Sequence, residues 1–176
     1  MEASTLDWLQ EFEAPLFFEP DGHPVKSWDL LPAEWMRDET LFDHEKWLQG
    51  EIFRGTPVGP MYLEVCRELD HFLENYGLRR EGHAYRVLKP CDRTVLFFTH
   101  MGISNVLLSH FLNISPMVLW NALYMPPSSL TVVNSESRDG TTAIFRCQQI
   151  GDTAHLRYGG EAPSDRGYFS IPTFRG

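Results

Sequence analysis

His100 is the residue from which chemistry is read first, because of what flanks it. It closes the run Thr94-Val95-Leu96-Phe97-Phe98-Thr99 and is followed by Met101-Gly102-Ile103. Four consecutive apolar residues, Val95 to Phe98, predict a strand buried on both faces. Val106, Leu107, His110 and Phe111 then fall at helical spacing, and Gly102 lets the backbone approach a ligand closely. In an open α/β sheet, ligands bind at the carboxyl ends of strands, and a helix start offers amides that favour an anion. A histidine at such a junction sits where chemistry would be done. The same spacing also suits a histidine that is merely satisfied in a turn.

The elements that must hold this junction are read along the chain. Met61, Val65, Leu69, Phe72, Leu73 and Tyr76 recur at three- and four-residue steps with Gly77 behind them, which predicts a helix and its C′ residue. Residues 84–88 and 95–99 read as strands, and Ser115-Pro116 opens a helix through Trp120 to Tyr124. Residues 130–134 and 143–149 flank Ser137-Arg138-Asp139-Gly140, whose Asp-Gly step predicts a hairpin. Upstream, residues 5–12 read as a strand or strand end, and 16–31 as a loop around Pro20-Asp21-Gly22. Pro32 starts a weakly amphipathic helix or pair of helices to Leu48, and residues 55–60 break it. The Gly-, Pro- and Ser-rich tail after Leu156 predicts mostly irregular structure.

Composition narrows the function classes. A chain of 176 residues, 43% hydrophobic and 13% aromatic, predicts one globular domain with a real core. Its 15 Lys+Arg against 24 Asp+Glu give a net charge of −9, which repels a polyanion and disfavours nucleic acid. A small phosphorylated substrate stays open, because a local pocket can be positive on an acidic protein. Cys66, Cys91 and Cys147 show neither CxxC spacing nor an even count, which argues against a disulfide framework or a zinc site and suits a reducing cytoplasm. The start at Met1 has no signal-peptide pattern, and no apolar run is long enough to span a bilayer, so a cytoplasmic protein without a membrane partner is predicted. His23, His44, His71 and His83 lie in polar contexts without metal-ligand spacing and read as surface residues; His110 reads as packing or surface. No cofactor is predicted.

Three segments in order carry a family resemblance: residues 94–102, Pro127-Ser128-Ser129 opening a strand, and Gly151-Asp152-Thr153-Ala154-His155-Leu156. They resemble the C-terminal half of the histidine phosphatase superfamily, which includes the cofactor-dependent phosphoglycerate mutases. Leu6-Asp7-Trp8-Leu9-Gln10-Glu11-Phe12 resembles the family segment that carries a catalytic carboxylate, so the similarity covers nearly the whole chain. The resemblance implies a three-layer α-β-α sandwich of the phosphoglycerate mutase-like type. It implies that His100 is the second active-site histidine, stabilising the transferring phosphoryl group with help from the Met101 and Gly102 amides. It makes Glu11 the group that protonates the leaving oxygen and then activates water. His155 and Trp8 are candidates for the pocket wall. Residues 16–60 fall where the family inserts a lid, so Trp8, Phe17, Phe18, Trp28, Trp35, Phe42 and Trp47 either shape substrate choice or pack a core. The ligand implied is a small phosphate monoester or inorganic phosphate.

Two departures accompany the resemblance. The family turn has glycine directly after the histidine, where this chain has Met101. The family's phosphate-accepting histidine lies in an Arg-His-Gly motif on the first strand, and no Arg-His pair occurs in this chain. The resemblance therefore implies that residues 1–176 form one domain incomplete at its N-terminus, lacking the first central strand. A phosphohistidine mechanism needs that nucleophile, so this chain is expected to be nearly inactive. A non-catalytic module that binds a phosphorylated ligand or a partner is the alternative. A mutase is less favoured, because residues 16–60 show no basic cluster for a bisphosphate. An absent central strand would also leave an apolar edge unpaired and predicts self-association through it, or strand rearrangement.

Overall fold

Turn residues and aspartates set the element boundaries in the computed structural model, which describes residues 3–167. A 3₁₀ turn at Asp7–Leu9 stands where a strand was predicted over residues 5–12. Pro20-Asp21-Gly22 turns the chain between β1 (Pro15–Phe18) and β2 (Pro24–Lys26), so the predicted loop contains an antiparallel hairpin. The helical stretch predicted from Pro32 to Leu48 is fragmented into α1 (Pro32–Trp35) and 3₁₀ turns at Glu39–Phe42, Trp47–Gln49 and Glu51–Phe53. The cause is local: Asp38 accepts from the Thr40 amide, and Asp43 from those of Glu45 and Lys46, diverting donors that a continuous helix would use.

The predicted stripe forms α2 (Val58–Asn75), which buries Val58, Tyr62, Val65, Cys66, Leu69 and Leu73. Gly77, at φ +83°, ends it in the left-handed conformation that glycine adopts without steric cost. The chain then forms a hairpin of β3 (Leu78–Glu81) and β4 (Ala84–Val87), of which only the second strand was predicted. Arg80 fastens this hairpin to the helix that follows His100: its guanidinium donates to the Tyr85 hydroxyl, the His110 carbonyl and Asn113 Oδ1.

The strand predicted over residues 95–99 does not form. No backbone hydrogen bond joins residues 90–99 to any other described residue, and no described strand lies alongside to pair with them. Side chains there still alternate. Phe97 and Thr99 are half-buried, whereas Leu96 is 52% and Phe98 92% exposed.

Helices α3 (Met101–Leu112) and α4 (Pro116–Ala122) follow, then β5 (Leu130–Ser137), β6 (Thr142–Asp152) and the short α5 (Ala154–Tyr158). Helix α5 ends two residues into the tail after Leu156, residues 159–167 are irregular as predicted, and residues 168–176 lie outside the described residues. One sheet is β1-β2 and the other runs β3-β4-β6-β5, with every pairing antiparallel. The protein is mixed α/β. Among the described residues no helix is long and apolar enough to cross a membrane.

Candidate active site

A single hydroxyl bond starts the assembly of the site. Thr99 Oγ1 donates to the Leu9 carbonyl at 2.8 Å and so ties the unpaired run before α3 to the 3₁₀ turn at Asp7–Leu9. Two residues beyond that turn, Glu11 reaches the start of α3. Its Oε1 accepts from the Ile103 amide at 3.0 Å and from its neighbour Phe12 at 2.8 Å, while Oε2 is 3.4 Å from the Gly102 amide. A helix start leaves amides without intrahelical partners and carries partial positive charge, so a carboxylate there meets two needs at once. His100 is the N-cap residue with extended backbone (φ −118°, ψ 170°), and its exposed side chain makes no capping bond.

Gly102 is buried, and space explains why it is glycine. A Cβ there would lie 2.5 Å from Trp28 Cη2 and 2.6 Å from Glu11 Oε1. Its carbonyl accepts from Trp120 Nε1 at 2.9 Å, so the first turn of α3 is pinned from a second side. Trp28 and Trp120 have ring centroids 6.0 Å apart, and Lys26 Nζ sits 5.8 Å from the Trp28 centroid while paired with Glu13 at 3.3 Å. Asn105, one turn along, is buried with its Nδ2 3.1 Å from Met101 Sδ and its Oδ1 unpartnered.

The structure therefore brings together four of the predicted residues: Glu11, His100, Met101 and Gly102. It corrects how they meet. The argument from a strand end does not apply, since no strand precedes His100, and the Gly102 amide faces Glu11 rather than open space. Trp8 does not join them, because its ring packs edge-on against Phe72 (6.1 Å) and Phe97 (6.2 Å). His155 lies exposed on α5, and no described contact links it to Glu11 or His100. Thr99, Trp28 and Trp120 complete the site: Thr99 falls inside the 94–102 motif with no role assigned to it, Trp28 among the aromatic residues expected to shape substrate choice or pack a core, and Trp120 in no motif.

Other chemistry-bearing groups lie elsewhere. A surface groove of about 520 Å³ is lined by residues including Cys66, Asp70, His71 and Arg80, and by none of the site residues. Burial pushes the Cys66 thiol up to about 12, so it is not a ready nucleophile. His110, expected to pack or lie at the surface, does pack: its Nε2 is 2.8 Å from Asp70 Oδ1. His83 pairs with Glu45 at 3.1 Å, and burial lowers the pKa of the adjacent His44. Among the described residues no group of three or more His, Cys, Asp or Glu could hold a metal ion.

Comparison of the chain with protein-family models, with curated proteins and with solved structures finds no match. The functional reading therefore rests on the motifs and on this geometry.

Proposed function

We propose that this chain is a histidine phosphatase-like domain that recognises a small phosphate monoester at the start of α3. Its mixed α/β fold is then a phosphoglycerate mutase-like sandwich without the first central strand. One observation carries the reading: the Glu11 carboxylate docks on the Gly102 and Ile103 amides, next to His100. Residues that the motifs assign to one site, 91 positions apart for Glu11 and Gly102, meet in space.

The chemistry follows from the groups present. His100 and the amides after it stabilise charge on a phosphoryl group. A phosphoryl oxygen that takes the Gly102 amide displaces a Glu11 oxygen, which frees that carboxyl to protonate the leaving oxygen and later to activate water. Turnover through a phosphohistidine needs a nucleophile that no Arg-His pair supplies here. This chain binds without turning over; were an N-terminally extended product to supply the nucleophile, it would hydrolyse the ester. The absence of that pair also favours a second reading, a binding module with no hydrolytic form.

Hydrolysis of p-nitrophenyl phosphate separates these readings. This chain should run at background and the extended product well above it. In the extended product, removing the charge-stabilising His100 with His100→Ala should lower kcat by about 10²–10³, and Glu11→Ala by about 10²–10⁴. An extended product at background, alongside phosphate-induced stabilisation of this chain that His100→Ala abolishes, selects the binding module. Rates unchanged by both substitutions would overturn the site.

A further inference from the structure

Residues 94–99 present an extended apolar run whose backbone donors and acceptors pair with nothing described, and whose outward side chains, Leu96 and Phe98, are exposed. Inward, Phe97 packs on Trp8 and Phe72, and Thr99 bonds the Leu9 carbonyl, so the run is held as a fixed edge. We propose that this edge is the docking surface for a second copy of this chain, two runs joining as antiparallel strands across a two-fold axis centred on Leu96. The inference needs no ligand, although it draws on His100, which the phosphatase reading also uses.

Symmetry and charge select the register. Opposed residues of an antiparallel pair share a face, so a two-fold axis must set one residue against its own copy. Centring on Val95 places Asp92 against Phe98 and brings Pro90, which has no amide to donate, opposite His100. Centring on Phe97 leaves Asp92 outside the pairing and sets Arg93 against Met101. Centring on Leu96 sets Asp92 against His100 and Arg93 against Thr99, with Leu96 on Leu96 and Thr94 on Phe98. That register alone pairs the run's aspartate with a basic side chain, and it sets the exposed Leu96 against its own copy. Both copies keep Phe97 and Thr99 on their own inner faces. The net charge of −9 opposes the approach of two copies at low salt, so association should strengthen as salt screens it.

The test uses the whole chain. Sedimentation velocity at physiological salt should show a concentration-dependent dimer, and Phe98→Lys should shift it to monomer with unchanged far-ultraviolet circular dichroism. In a Cys91→Ser background, Leu96→Cys should cross-link to a disulfide dimer under mild oxidation, whereas Thr94→Cys should not. This second arm holds even if Phe98→Lys fails to fold. A chain monomeric at every concentration, with amides 94–99 protected from exchange by a strand of its own, would overturn the proposal. Equal cross-linking of both cysteine variants, or a ladder of species beyond the dimer, would overturn it too.

Discussion

At the scale of single residues, close approach governs what can be changed. Gly102 has no room for a methyl group, since the atoms it would meet are a rigid indole carbon and the Glu11 carboxylate that caps α3. Gly102→Ala should cost about 1–3 kcal/mol, as overpacking of a fitted site does. Urea unfolding should show that cost falling when Trp28→Leu is added; additive effects would mean that the two positions do not meet. A second case turns on proton direction. Ser109 Oγ donates to the Ile114 carbonyl at 2.7 Å, so the 2.9 Å bond from Tyr62 must be donated by the phenol. Tyr62→Phe then removes the bond to Ser109, about 0.5–1.5 kcal/mol, while Ser109→Ala takes the oxygen acceptor from the Tyr62 hydroxyl and the donor from the Ile114 carbonyl, and should cost about 1–3 kcal/mol. Thermal unfolding of the two variants side by side reads the order, and the reverse order would refute the proton assignment.

At the scale of elements, the β5–β6 hairpin depends on one carboxylate. Asp139 Oδ1 accepts from the Thr141 and Thr142 amides at 2.8 Å each, and these bonds hold its pKa down from 3.8 to about 2. A folded pKa below the unfolded one means that this stabilisation is complete above pH 3.8 and is lost as the pH falls toward 2. The stability difference between the chain and Asp139→Ala should therefore shrink through that window, as followed by urea unfolding; a constant difference would show that the carboxylate is not the cause. This hairpin was legible in the sequence because Asp-Gly turns and flanking β-formers are local signals, and α2 was legible because its apolar period is long and regular. β3 was hidden, since Leu78-Arg79-Arg80-Glu81 carries charge on a half-exposed edge and shows no apolar alternation. Residues 95–99 misled for the opposite reason: their composition is that of a strand, but a strand needs a neighbour, which composition does not supply. The docking of Glu11 on the start of α3, beside His100 in the chain, was legible only through the motifs that each belongs to. Trp28 was not, because a lone tryptophan among turn residues has no period to place it.

At the scale of the molecule, residues 16–60 decide between two architectures, a removable cover and a part of the core. The aromatic residues divide. Phe17, Phe18 and Phe42 are exposed, but Trp35, Trp47 and Phe53 are buried in the same cluster as α2, α3 and α4. Trp47 is its junction, with ring centroids 4.9 Å from Phe53, 4.8 Å from Tyr62 and 5.9 Å from Trp120. Trp120 in turn stacks on Phe12 at 5.3 Å and holds the Gly102 carbonyl, so the chain of contacts runs from the segment to the first turn of α3. A segment that only covered the site could lose Trp47 with a local effect. A segment that shares the core cannot, because the cavity would open among Tyr62, Phe53 and Trp120 at once. Trp47→Ala should lower global stability by about 3–5 kcal/mol, a large share of what a domain of this size has. Urea unfolding followed by near- and far-ultraviolet circular dichroism should show both signals shifting together to a lower midpoint. If the near-ultraviolet signal were lost while the far-ultraviolet midpoint stayed in place, residues 16–60 would be a separately melting cover, and the core reading would fail.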